Sequence, residues 1–190
     1  MKELERRIES EGQILPGGIL KVDSFVNHQV DAALMDRCGK ELAKQFGPLR
    51  ATKVLTAEIS GIAPALTTAL HLGIPVVYAR KSKPITMPDQ VYLTLAPSHT
   101  KGRMVELIIS PEFLPQGERV LIIDDFLASG ATIMGLVRLA EAAGAQVVGI
   151  GALIEKTFEG GRAALEPLGL PIRSLTSITS MDGARMTFAH

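Results

Sequence analysis

Residues 120–133, VLIIDDFLASGATI, constrain the fold more than any other part of this 190-residue chain. Val120, Leu121, Ile122 and Ile123 form an unbroken β-branched and leucine run, the pattern of a strand covered on both faces. Asp124 and Asp125 follow at once. The small-residue loop Ala128-Ser129-Gly130-Ala131-Thr132 then opens a helix predicted over about 131–143 and ended by Gly144. A strand buried on both faces needs strands beside it and helices above and below. The flanking sequence offers them. Residues 53–56 predict a strand. A loop over 57–62 leads into a helix from about Ala63, with Pro64 in its first turn and Gly73 at its exit. Residues 75–79 and 147–154 predict two more strands. Strand–helix–strand alternation of this kind implies an α/β fold of three layers, a parallel sheet flanked by helices.

The rest of the chain decorates that frame. Leu4 and Ile8 predict a short amphipathic helix ending near Gly12. Residues 13–30 show no period and contain Pro16, Gly17 and Gly18, so they read as an irregular cap segment. From Asp31, the apolar residues Leu34, Met35, Cys38, Leu42 and Phe46 keep helical spacing until Gly47-Pro48 stops them. Residues 81–118 form a long insertion with five prolines between Pro84 and Pro115, and with strand-like pieces at 91–96 and 104–109. A connection this long in a compact domain is a candidate flap over a site. Met181-Asp182-Gly183-Ala184 reads as a turn between two terminal strands. Length predicts one domain over 1–190.

Composition excludes several classes of function. Lys and Arg total 20, Asp and Glu also total 20, and 46% of residues are hydrophobic, so the chain is not disordered. A zero balance also argues against a protein built to neutralise nucleic-acid phosphates, and points to a small anion gripped locally. Cys38 is the single cysteine, and His28, His71, His99 and His190 are too scattered for a metal motif. The opening MKELERRIESEGQ has no apolar core and no run of 18 apolar residues occurs, so a cytoplasmic protein without membrane contact is expected.

The chemistry gathers after the central strand. Ligands of parallel α/β sheets bind beyond the strands' carboxyl ends. A helix start offers unpaired N–H groups and a positive dipole end, which suits phosphate. Gly130 and its small neighbours let that backbone approach closely, and Ser129 and Thr132 add hydroxyl donors. Paired carboxylates would repel a phosphate, but can hold sugar hydroxyls or a Mg²⁺ beside them. A capping acid in an ordinary turn needs only one carboxylate. The loop containing Ser60 and Gly61 is a second phosphate-cradling candidate, and Arg80, Lys81 and Lys83 place three cations within four residues.

Four apolar residues, two acids and a loop ending Ser129-Gly130-Ala131-Thr132 resemble the phosphoribosyl-diphosphate signature of the type I phosphoribosyltransferases. Two loop positions depart conservatively from that family's Thr-Gly-Gly-Thr. The blocks DSFVNHQVD from Asp23, EISGIAPA from Glu58, Ala79-Arg80-Lys81 and IEKTF from Ile154 resemble the family's bacterial xanthine-using branch. The resemblance implies the type I fold, with a small cap (hood) from residues 1–30 plus the C-terminal strands and a flexible flap within 81–118. It implies transfer of ribose 5-phosphate from 5-phosphoribosyl 1-diphosphate to xanthine, with Mg²⁺ on the diphosphate and possible contact to Asp124 and Asp125. It further implies that Asp124 and Asp125 are catalytic. Ala128, Ser129, Gly130, Ala131, Thr132, Ser60, Gly61, Arg80 and Lys81 would bind the phosphosugar, and Leu20, Asn27 and Lys156 the base. A homodimer is also implied.

Residue chemistry fits those roles. A lysine ammonium only donates, so Lys156 suits an oxo group at C6 and disfavours adenine's amino group. Asn27 can donate and accept at the other edge, although asparagine also serves in turns. Ser98, His99, Thr100, Lys101, Gly102 and Arg103 fall where the family has its flap, and His99 alone reads as a surface residue. Two alternatives stand. One is a transferase for adenine or for hypoxanthine and guanine. The other is a purine-sensing regulator of the same fold, disfavoured because only about 30 residues precede the Asp31 helix and no basic face is evident.

Overall fold

The structure is a computed structural model and describes residues 1–97, 104–183 and 185–189. Helix α1 (Lys2–Glu11) buries Leu4 and Ile8. Strands β1 (Gln13–Leu15) and β2 (Ile19–Lys21) pair as an antiparallel hairpin, and a π-helical turn follows over Asp23–Asn27. The cap predicted as irregular is therefore partly regular. Its strands have three residues each, too few to show a period, and Gly17 and Gly18 close them with φ of 82° and 73°. Asp31 accepts the Leu34 N–H at 3.0 Å and so caps α2 (Ala32–Phe46).

The alternating frame comes next: β3 (Lys53–Ala57), α3 (Ile62–Leu72) and β4 (Val76–Ala79). The insertion folds as a hairpin of β5 (Tyr92–Pro97) and β6 (Met104–Ile109), whose antiparallel register runs from Tyr92 opposite Ile109 to Pro97 opposite Met104. Residues 98–103, with the predicted flap sequence and His99, lie outside the described residues. Then come β7 (Arg119–Leu127), α4 (Ala131–Ala142), β8 (Gln146–Lys156), the short α5 (Gly161–Leu165), β9 (Ile172–Asp182) and β10 (Arg185–Phe188). Strand β7 reaches past the acid pair, so Asp124 and Asp125 lie within it. Pairing with β8 continues as far as Leu127 opposite Glu155 and holds the backbone extended there.

The main sheet has the order β10-β9-β8-β7-β3-β4, parallel throughout except for antiparallel β10. Alternation along β7 divides the core. Leu121 and Ile123 join the apolar cluster of α1, α2 and α3, while Val120 and Ile122 join that of α4, α5 and the β5–β6 hairpin. All four are fully buried, which is why their run carries no polar residue. From β3 the chain moves outward to β4 and then returns to β7 on the other side of β3. This reversal opens a crevice at the carboxyl ends of β3 and β7. No described helix is long and apolar enough to cross a membrane.

One contact seats the helical layer. Phe46, at the end of α2, lies on glycine positions of β8: a Cβ at Gly149 would come within 3.0 Å of its ring, and one at Gly151 within 2.8 Å. The two glycines themselves offer no side chain to fill a vacated space. Phe46→Ala should therefore cost about 3–5 kcal/mol in urea unfolding. A loss below about 1 kcal/mol would show that α2 does not depend on this contact.

Candidate active site

A cavity of about 470 Å³ occupies the crevice and takes residues from six places in the chain. Strand β7 contributes Asp124, Asp125 and Phe126, and the loop after it contributes Ala128 to Thr132. Ser60 comes from the loop after β3, Lys156 from the end of β8, and Leu15, Ile19, Leu20 and Asn27 from the cap. Pro97 reaches it from the hairpin. The structure thus unites Leu20, Asn27, Ser60, Asp124, Asp125, Ala128, Ser129, Gly130, Ala131, Thr132 and Lys156. It does not place Gly61, Arg80 or Lys81 on the cavity wall.

Gly61 lies in the loop after β3, and Arg80 and Lys81 are tied to that loop. A Cβ at Gly61 would stand 2.6 Å from Asp124 Oδ1, so only glycine leaves room for that carboxylate. Arg80 Nε lies 2.8 Å from Glu58 Oε2, and its guanidinium stands over the Tyr78 ring at 5.9 Å. The Lys81 N–H donates to Glu58 Oε1 at 2.6 Å. Lys83 pairs with Asp89 at 3.3 Å. Glu58 therefore ties the basic segment after β4 to the loop after β3. Sequence reading assigned Glu58 no role, although an acid just past a parallel strand, like the pair on β7, was a usable signal.

Asp124 and Asp125 are only 7% and 9% exposed. The Asp125 N–H donates to Asp124 Oδ1 at 3.0 Å. Burial pushes the Asp124 carboxyl well above the usual range, the Asp125 charge pushes it further, and Lys81 pulls weakly the other way. Burial also raises Asp125, against hydrogen bonds from Asp124 and Ser60. Desolvated, mutually interacting carboxyls of this kind are typical of functional sites.

Lys156 is 4% exposed and donates to the Gly18 carbonyl at 3.0 Å and Glu159 Oε1 at 2.9 Å. Its ammonium lies 5.7 Å from the Phe126 ring centre. An ammonium has three N–H groups, so one remains to point elsewhere. Phe126, two residues beyond Asp124, lines the same cavity and was not singled out by the sequence. Glu155, 1% exposed, accepts Arg162 Nε at 2.7 Å, Arg162 Nη2 at 2.5 Å and Ser174 Oγ at 2.8 Å. Burial alone would raise its pKa, but these donors outweigh it and hold the carboxyl below the usual range.

Gly130 has a packing role besides its place on the cavity wall. It caps α4 with φ of 78°, and a Cβ there would meet Gly161 O at 3.1 Å and Leu165 Cγ at 3.4 Å. Its missing side chain makes room for the backbone of Gly161 beside the loop.

Comparison with known proteins agrees with this geometry. A profile described as phosphoribosyl transferase domain matches residues 29–184, and the chain belongs to that family. It is 50% identical over 182 residues to the xanthine phosphoribosyltransferase of Deinococcus deserti, covering 96% of this chain and 94% of that one. It is 46% identical over 188 residues to the Listeria innocua protein of the same name, covering 99% and 98%. Among solved structures, adenine phosphoribosyltransferase from Thermoanaerobacter pseudethanolicus superposes with a TM-score of 0.74 at 28% identity, covering 92% of this chain and 99% of that one. The Rhodothermus marinus enzyme gives 0.73 at 25%, covering 93% and 99%.

The raised carboxyls carry a consequence for stability. In the folded protein Asp124 resists ionisation, whereas the unfolded side chain ionises near pH 3.9. Below that pH both states are protonated and nothing is lost; as pH rises toward the folded value, holding the group in place costs stability. Asp124→Asn removes the cost. The variant should melt higher than the parent at pH 7, by a margin that shrinks toward zero near pH 4. A margin equal at both pH values, or a lower melting temperature at pH 7, would contradict the burial argument.

Proposed function

We propose that the protein transfers ribose 5-phosphate from 5-phosphoribosyl 1-diphosphate to N9 of xanthine, yielding xanthosine 5'-monophosphate and diphosphate in cytoplasmic purine salvage. One observation carries this reading: a desolvated acid pair, a small-residue loop at a helix start and a buried lysine ammonium open into a single cavity. The names of the relatives at 46–50% identity support the choice of base. The whole chain acts as one transferase domain, with no role in binding nucleic acid or membrane.

The loop Ala128 to Thr132 binds the 5'-phosphate through backbone N–H groups and the Ser129 and Thr132 hydroxyls. Asp124 and Asp125 accept hydrogen bonds from the ribose hydroxyls. As diphosphate departs the ring becomes oxocarbenium-like, and their negative charge in a dry cavity stabilises it. Ser60 and the backbone at Gly61 hold the diphosphate, toward which Arg80 and Lys81 supply positive charge. Closing the cavity excludes water, which would otherwise hydrolyse the sugar.

Base recognition falls to the other end. Leu20 lies against the purine, and the third Lys156 N–H donates to the C6 carbonyl. Asn27 reads the C2 edge. Adenine would present an amino donor to the Lys156 donor, so the adenine-using proteins among the solved structures share the fold without prescribing the base.

Mg²⁺ fits the cavity as a guest of the substrate. Among the described residues no cluster of three or more histidine, cysteine or acidic side chains could cage a metal, whereas two carboxylates face the cavity. Asp124 and Asp125 would hold the ion beside the diphosphate oxygens, where it supplies neutralising charge for the leaving group.

A homodimer is supported by the outer face of α3 and the edge strand β4. Leu66, Leu70, Ile59 and Tyr78 are 59%, 71%, 75% and 42% exposed there. Large apolar side chains gathered on one face are unusual on a monomer. Sedimentation equilibrium should give twice the chain mass, and Leu70→Glu should return it to a single chain. A parent that sediments as a monomer would remove the dimer.

Initial rates with xanthine, hypoxanthine, guanine and adenine at saturating phosphosugar test the reaction itself. Diphosphate should appear only when base is present, and xanthine should lead. Asp124→Asn combined with Asp125→Asn should stay folded and lose at least about a thousandfold in kcat. Lys156→Ala should lose about tenfold to a hundredfold on 6-oxo purines, the worth of one charge-assisted bond, and far less on adenine. Asn27→Ala should bring xanthine and hypoxanthine rates together. A folded double variant with parental rates would end the phosphosugar reading; an equal Lys156→Ala loss on every base would make that lysine structural.

A further inference from the structure

Gly161 lies behind the loop that faces the cavity and is not among the cavity's lining residues. Its N–H donates to the Ala128 carbonyl at 2.9 Å. The fit is close from both sides. A Cβ at Gly161 would collide with that carbonyl oxygen and stand 2.7 Å from the Gly130 nitrogen, while a Cβ at Gly130 would stand 3.1 Å from Gly161 O. Two glycine backbones therefore touch with no space for a methyl group.

The direction of that hydrogen bond matters. Among the described residues the one cis peptide bond is Glu58–Ile59, so the Ala128–Ser129 peptide is trans, and its C=O and N–H point opposite ways. Drawing the Ala128 carbonyl back onto Gly161 turns the Ser129 N–H forward, toward the cavity that both residues line. We propose that Gly161 is a positioning residue for the transfer reaction, setting the Ala128–Ser129 peptide so that its N–H meets the 5'-phosphate. This inference rests on the phosphosugar reading of the cavity.

Gly161 is itself held firmly. Its neighbour Arg162 makes a two-point bond to Glu155 of β8 and donates to the Ile172 carbonyl at 3.3 Å. Glu155 is almost wholly buried, so the pair anchors the start of α5 to the sheet. Lys156 follows Glu155 directly, and the stretch 156–161 joins it to Gly161. The proposed base contact and the support of the phosphate loop thus share one mount.

Gly160 provides a built-in control. It has φ of 77°, but a Cβ there would meet nothing within 4 Å. Gly160→Ala strains the backbone without touching the loop, whereas Gly161→Ala pushes on the loop itself. The constants to measure are KM for 5-phosphoribosyl 1-diphosphate, kcat, and the Kd of ribose 5-phosphate by calorimetry. Gly161→Ala should raise KM and Kd by about tenfold to a hundredfold, the scale of an ångström-sized misplacement, and change kcat by less than about threefold. Gly160→Ala should lower the melting temperature and leave KM and Kd unmoved. If Gly161→Ala does not fold, Arg162→Gln should raise KM in the same sense, and Arg162→Lys should restore part of the loss.

Equal Kd values for parent and Gly161→Ala, or an unmoved KM in Arg162→Gln, would overturn the positioning role and leave the phosphosugar reading standing. Parallel losses in both glycine variants, with kcat falling alongside, would reduce Gly161 to a structural residue. A parent that binds no ribose 5-phosphate would overturn the reading of the cavity, and this inference with it.

Discussion

Everything in this molecule depends on a strand that is dry on both faces. Strand β7 sends alternate side chains into two separate apolar clusters, so α1, α2 and α3 must cover one face and α4 and α5 the other. Water has no access to its backbone, and the hydrogen bonds to β3 and β8 become obligatory. The same dryness reaches the end of the strand. Asp124 and Asp125 ride out of the core on an extended backbone and arrive already stripped of most solvent. Their raised pKa values are the electrostatic record of that journey.

Such a site is costly to the apoprotein and useful to a ligand. Buried like charges oppose folding, and the opposition ends when a cation or a set of hydroxyl donors satisfies them. Around the pair several charged groups are themselves paired: Glu58 with Arg80 and the Lys81 N–H, Glu155 with Arg162 and Ser174, Lys156 with Gly18 and Glu159. The close contact of Gly130 and Gly161 extends this logic to the loop, where backbone rather than side chain does the positioning.

Legibility in the sequence followed length and period. Helix α2 announced itself through Leu34, Met35, Cys38, Leu42 and Phe46, and β7 through four successive apolar residues, because both elements are long enough to repeat a pattern. The β1–β2 hairpin escaped, since three-residue strands carry no period. Most of the cavity was legible too, because the acid pair and the loop after it are contiguous. Arg80 and Lys81 do not line the cavity and are tied to Glu58, the one through its guanidinium and the other through its backbone N–H, and local sequence does not show such partners.

By itself, the sequence determined the alternating frame, the buried central strand, the position of the acid pair at its end and the small-residue loop that follows. These depend on local pattern: apolar runs, helix stops, and residue types whose chemistry is the same wherever they are placed. Only the tertiary structure decided that Leu20, Asn27 and Lys156 share a cavity with Asp124, that Gly61 and Gly130 are glycines because other groups need their space, and that Gly161 supports the loop from behind. Those outcomes depend on segments up to 141 positions apart, such as Leu20 and Gly161 on the two sides of the site. Chain separation carries no information about contact. The physical reason is close packing: which atoms meet is settled when the layers close around β7, and no local stretch of sequence contains both partners.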